Sequence, residues 1–382
     1  MGVRNTFLWS VKHPQTNSRG FLFGTIHVPY TEVWDRVSDR VREAFSYSDT
    51  LLLEIDLRNE YTVRRLIRCR NLRRKQTAAS YLDPKLYQRI KNFMARFRHS
   101  LISWAQSRET HQPDLYQKAK ETYESLVGNW ERKRPEWLLF ALYQLCENLL
   151  DRPTSPMLDV FLANKAYEEE KQIRAIETTQ EQCNPIRSLT QQEIIFAINY
   201  TVAYLEHLHV TEKLFEVNAG KSISALVKEY RCGNLDDKYF QMNEFSFADF
   251  KAGDRDRDLA QKIDRQLRED IIARRNERMA SRLDNILSSN PQLTVFSAIG
   301  TGHFFGNNSV LHHLHQMGYV VENVRDQDSL LPPRNLTKNF KFNSLWLRDQ
   351  PAPPNVSIEV IMANSASIWL YFCVYLSLVR MC

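Results

Sequence analysis

The stretch "FLFGTIHVPY", residues 21–30, decides how the chain is read. Residues 21–26 are aromatic, aliphatic or β-branched with a single glycine, which is the composition of a buried strand. His27 stands where the apolar run stops, and Pro29 breaks whatever follows. The design returns near the other end in "FSAIGTGHFFGNN", where the run 293–299 leads into Gly300-Thr301-Gly302-His303. Two Gly-x-x-His elements at two strand ends predict one site built from both halves of the chain. Each histidine keeps two readings: a satisfied structural side chain, or a ligand in that shared site.

Working outward, "TLLLEID", 50–56, is a further buried strand ending in Glu54 and Asp56, which strand alternation would place on one face. An ionised carboxylate at the end of a buried strand is costly unless it meets a metal or a cation. Glu54 therefore has two candidate partners. One is a divalent ion shared with His27 and His303, since such centres take neutral imidazoles plus a carboxylate. The other is an arginine from the helical region 257–289. "IETTQEQC", 176–183, puts Glu177 after a strand and before a helix, as a second metal or base carboxylate or as a carboxylate favoured by the helix dipole. "RRNERM", 274–279, sets Arg274, Arg275 and Arg278 on a helix, either solvated or reaching the site to stabilise an oxyanion. His312, His313 and His315 fall on different faces of a predicted helix and read as surface or packing residues. The chain has no HExxH, so a thermolysin-like protease is excluded, and it has no GxSxG, P-loop or GxGxxG.

Residues 6–11 and 20–26 read as a hairpin, and 59–70 and 83–98 as helices. The segment 99–155 is mostly helical. A helix at 159–170, a short strand at 172–177, a long helix at 189–210 and broken helices over 222–289 follow. Strand 293–299, helix 308–317 and strand 318–323 close the fold. Strands at both ends around a helical middle predict an α/β domain over 1–325. Its mixed central sheet comes from the N- and C-terminal halves, with a large helical insertion at about 57–290. Residues 326–357, with "QPAPPNVS", read as an extended linker and 358–382 as a hydrophobic membrane segment. Residues 360–379 carry no charge and precede Arg380, which suits a span or a lipid-anchor signal. The opening "MGVRNTFLWS" has no apolar signal segment and fits a short myristoylation pattern.

Hydrophobic content of 43% and charged content of 25% are those of a globular protein, and the net charge is +6. The basic excess is local: Arg64, Arg65, Arg68, Arg70, Arg73, Arg74 and Lys75 fall within twelve residues. They form either a solvated helix face or a patch for anionic headgroups or glycosaminoglycan. No nucleic-acid motif accompanies them. Cys69, Cys146, Cys183 and Cys232 allow three pairings, and Cys373 and Cys382 lie in the apolar tail. Sequons at Asn199, Asn307, Asn335 and Asn355 point to a secretory route.

The paired "GTIH" and "GTGH", the "LLLEID" strand and "LDVFLANKAYEEEKQIRAIETTQEQC" resemble the TraB/GumN superfamily. Within it, "FLFGTIHVPYTEVWD", "GNWERKRPEW", "YRCGNL", "RRNERM" and "GTGHFFGNNS" are similar in order and spacing to the Tiki metalloproteases, over about residues 6–325. The resemblance implies an erythromycin-esterase/ChaN-like fold (EreA/ChaN-like) and a membrane-tethered protease of the cell surface. The substrate it implies is Wnt proteins, which lose an amino-terminal segment and with it signalling activity. It implies manganese or cobalt (Mn2+ or Co2+), with His27 and His303 as metal ligands, Glu54 as ligand or general base, and Arg275 and Glu177 at further catalytic positions. The expected topology is single-pass type I with an extracellular catalytic domain. Two other classes remain at this point: a non-peptidase hydrolase of the same fold, and a non-catalytic Wnt-binding surface protein.

Overall fold

The computed structural model describes residues 5–108, 115–145, 156–214, 223–235, 250 and 252–330. Six strands form one sheet: β1 (Leu8–Lys12), β2 (Arg19–Thr25), β3 (Thr50–Leu53), β4 (Gln172–Ala175), β5 (Thr294–Gly300) and β6 (Val320–Asn323). Their order is β4-β3-β5-β2-β1-β6. The four strands β4, β3, β5 and β2 are mutually parallel, and β1 runs antiparallel to both β2 and β6. The sheet is therefore mixed and joins the two ends of the chain, as the apolar runs predicted. Every residue of β3 and β5 is buried, which is why both read as unbroken apolar runs rather than alternating ones.

The parallel register sets the site. Thr25 pairs with Gly300, Leu53 with Ala298, and Leu53 with Ala175. Four strands thus end along one edge, and the residues just after them emerge together. In open α/β sheets that carboxyl edge is where ligands bind.

The span 57–290 is not one excursion, because β4 lies within it and returns the chain to the sheet beside β3. The helices form two crossovers, one before and one after β4. Helix Pro84–Arg108 runs on past residue 98. Leu86, Ile90, Phe93, Phe97, Leu101 and Ala105 keep one stripe buried along its whole length. This stripe packs with helices Pro135–Gln144 and Gln191–Val210 in a core of its own, separate from the core around the sheet. Cys69, at the end of helix Glu60–Cys69, is bonded to Cys183 and so ties the first crossover to the second. Cys232 is free and exposed, and Cys146 lies outside the described residues.

One local expectation fails. β3 stops at Leu53, so alternation does not carry Glu54 and Asp56 to a common face. Asp56 instead accepts the Arg58 backbone N–H at 2.9 Å. Among the described residues no helix is long and apolar enough to cross a membrane. The segment 358–382 and the sequons at Asn335 and Asn355 lie outside them.

Candidate active site

The two Gly-Thr motifs interlock where β2 and β5 end. Thr301 Oγ1 donates to the Thr25 carbonyl at 2.8 Å. A Cβ on Gly24 would sit 2.8 Å from that same Oγ1, so the contact requires glycine. The chain after Thr25 then turns, and Tyr30 N–H donates to the Pro156 carbonyl while Leu158 N–H donates to the Val28 carbonyl. This lacing delivers helix Leu158–Glu168 with Asp159 in its first turn. Asp159 Oδ2 accepts from His27 Nδ1 at 2.9 Å, and its Oδ1 accepts from Thr25 Oγ1 at 3.2 Å.

His303 sits in the single turn Thr301–Phe304 after β5. Its Nδ1 lies 2.5 Å from Asn276 Oδ1. The Asn276 amide is oriented by its other end, where Nδ2 donates to the Asn308 carbonyl at 2.7 Å. Oδ1 therefore faces the ring, Nδ1 carries the proton, and Nε2 of the neutral ring is a lone pair.

Glu54 follows β3 and lies between these histidines. Its Oε1 accepts the Gly300 N–H at 2.7 Å and stands 4.0 Å from His303 Nε2. Its Oε2 pairs with Arg275 Nη2 at 2.7 Å. Gly300 marks the meeting point. A Cβ added there would lie 3.1 Å from Glu54 Oε1, 3.6 Å from His303 Cδ2 and 3.7 Å from His27 Nε2. All three side chains thus come within 4 Å of one position, and both Nδ1 atoms are held from behind.

Arg275 and Glu177 form the floor. Arg275, 3% exposed, donates to Glu177 from Nε at 2.9 Å and from Nη2 at 2.6 Å. Glu177, 1% exposed, also pairs with Arg278 at 3.2 Å and accepts from Gln182 Nε2. The helix dipole is served by Glu181, which forms a capping box with Thr178, so Glu177 is freed for this ion-pair network. Arg275 is committed to two carboxylates and orients Glu54 from below. Arg274 pairs with Asp270 at 2.9 Å, away from this network. The three arginines leave a π-helical turn, Glu269–Ala273, which re-phases helix Arg274–Ser289. His312 and His315 are exposed and take no part.

The electrostatics of the two histidines differ. Burial alone would lower His27, but the charge and hydrogen bond of Asp159, with Glu54, lift it above the ordinary histidine value. Burial lowers His303 to about 4, and the Arg275 guanidinium adds to that shift against the pull of Glu54. Burial would raise Glu54, yet Arg275, both imidazoles and the Gly300 N–H bring it to about 2.

Among the described residues no three His, Cys, Asp or Glu side chains are grouped closely enough to hold a metal ion as they stand. The donor chemistry nonetheless fits a divalent cation. Two imidazoles and a carboxylate converge beside Gly300, and each ring is oriented through Nδ1 by an acceptor, as metal-ligating histidines are. Asp159 and Asn276 do this orienting, and neither stands out by residue type. Asp159 reads as an ordinary first-turn acid and Asn276 as part of a polar helix; the only prior signal is their position within the segments "LDVFLANK" and "RRNERM".

A family model described as TraB/PrgY/gumN matches residues 7–323, which contain every residue of this site. Metalloprotease TIKI2 of Danio rerio is 36% identical over 367 residues, covering 93% of this chain and 70% of that protein. Metalloprotease TIKI1 of Xenopus tropicalis is 32% identical over 383 residues, covering 93% and 73%. Metalloprotease TIKI1 of Homo sapiens is 34% identical over 323 residues, covering 84% and 62%. No solved structure shows a significant match. The chain therefore belongs to the TraB/PrgY/gumN family, and its similarities within that family fall among the TIKI metalloproteases.

Proposed function

We propose that this protein is a divalent-metal-dependent protease that removes an amino-terminal segment from Wnt proteins and so lowers their signalling. The names of its relatives, all metalloproteases, support the metalloprotease part. The observation that carries it is the approach of His27 Nε2, His303 and Glu54 Oε1 to within 4 Å of one point beside Gly300. Manganese or cobalt is the ion proposed, held by His27, His303 and Glu54. When bound, it would polarise the scissile carbonyl and acidify a water. The chain's own residues do the rest. Asp159 and Asn276 fix the two rings, so each Nε2 lone pair points inward. Arg275 keeps Glu54 ionised and aimed, with Glu177 as its counter-charge. Glu54 is then either a ligand or the base that takes a proton from water.

The same proposal includes location. The catalytic unit ends near 325, 326–357 is a linker, and 358–382 holds the protein in the cell membrane with the site outside. Incubating purified protein with a Wnt amino-terminal peptide and Mn2+ or Co2+, followed by mass spectrometry, tests the activity. A short released fragment that disappears with chelator is expected. Intact peptide would sink the proposal. Ester cleavage alone would favour a non-peptidase hydrolase, and co-purification without cleavage a binding protein.

A further inference from the structure

The function leaves unused the basic run near residue 70, and the fold gives it a second half that the sequence hides. Residues 70–72 pair antiparallel with 132–134: Leu72 N–H donates to the Arg132 carbonyl at 2.7 Å, Arg134 N–H to the Arg70 carbonyl at 2.9 Å, and Asn71 faces Lys133. The basic segment "RCRNLRRK" is thereby zipped to "ERKR", some sixty residues away. Arg132 also braces the loop, donating to the Gln76 carbonyl at 2.8 Å and the Arg73 carbonyl at 3.4 Å. The loop is so held that Arg68, Arg73, Arg74 and Lys75 all face solvent. None of these four makes an ion pair among the described residues. Nearby acids are engaged elsewhere, Glu60 with Arg64 and Glu136 with Arg134.

Beneath the loop lie Arg70 and Lys133, 8% and 6% exposed. Burial, with Arg70 alongside, brings the Lys133 ammonium down to about 7. Four exposed cations held side by side on one braced loop make a surface that gains from an anion. A solvated face would disperse its charges or pair them; this one concentrates them on a braced ledge.

We propose that the ledge formed by residues 68–75 and 132–133 binds a sulfated polysaccharide. The source follows from chemistry at the same place. Cys69 lies inside the basic run and is bonded to Cys183, so the ledge matures in an oxidising compartment. Anionic lipid is concentrated on cytoplasmic leaflets, whereas sulfated glycans are the polyanions of the secretory and extracellular side. This inference does not depend on protease activity.

Heparin is the probe. The folded chain should be retained on heparin at 0.15 M salt and should elute at higher salt than from a plain sulfonate resin. The variant Arg73→Ala/Arg74→Ala/Lys75→Ala alters only exposed side chains and should lower the slope of log Kd against log salt by about 2 to 3. Arg255→Ala/Lys262→Ala/Arg265→Ala removes the same charge from the exposed face of helix Asp254–Arg268 and should leave that slope unchanged. Arg68→Ala, a fourth exposed position of the ledge, should lower the slope further with its melting temperature unchanged. Equal loss in both triple variants would overturn the proposal. So would equal elution from the two resins, or binding to phosphatidylserine vesicles without binding to heparin.

Discussion

His27 and His303 occupy equivalent places at the ends of two adjacent parallel strands, four residues into near-identical motifs, yet their surroundings pull them in opposite directions. His27 leans on a carboxylate and is raised; His303 leans on an amide, lies near Arg275 and falls to about 4. Local sequence placed both rings. Helices from distant parts of the chain decide what each ring does with a proton.

The largest expected effect is on catalysis. His27→Ala and His303→Ala should each reduce peptide cleavage by more than about 10²-fold with the thermal transition retained, since each removes a ligand and little core. A collapsed transition would return the histidines to a structural role. Next comes the floor that both rings share. Arg275→Met leaves Glu54 and Glu177 facing each other without their main counter-charge, and should cost about 3–5 kcal/mol of stability in a urea titration. A loss under 1 kcal/mol would mean that the ion pairs are not closed in solution.

A third change converts one environment into the other. In Asn276→Asp, His303 should rise well above about 4 in an NMR titration of the metal-free protein, approaching the behaviour of His27. The sign for stability follows by linkage. His303 has a folded value below its unfolded one, so its contribution is present above about pH 6.5 and is lost as pH falls toward 4. His27 has a raised folded value, so its contribution is fully present below about pH 6.5 and is lost as pH rises from there through the higher folded value. Asn276→Asp should therefore flatten the acid-side loss. An unmoved His303 resonance would show that Arg275 and burial, rather than the Nδ1 partner, set its value. The smallest expected effect is Thr301→Val, which removes the tie between the motifs and should cost about 1 kcal/mol.

The parallel core and three site residues were legible because strands buried on both faces write themselves as apolar runs, and each run ends in an ionisable residue. Asp159 and Asn276 were not, because their contacts to the rings span 132 and 27 residues and depend on helix docking that no local pattern encodes. Asp56 was misplaced for a local reason: alternation was extended past the last paired residue, Leu53. Arg275 was foreseen on its helix, but its commitment to both Glu54 and Glu177 needed the re-phasing turn at 269–273. The disulfide was one of three pairings until the crossovers set Cys69 and Cys183 with Cα atoms 5.7 Å apart.

The clasp between Thr301 and Thr25 joins positions 276 residues apart in the chain. A ribosome adds about 5–20 residues per second. For roughly 15–55 s after β2 emerges, its parallel partner β5 does not yet exist, and His27 has neither Glu54's anchoring amide at Gly300 nor His303 beside it. The two halves of the candidate site therefore meet only once β5 has been made, with helix Val310–Gln316 and β6 still to follow. Until then a nascent chain carries only the first motif of the pair, and a site that needs both cannot assemble on it.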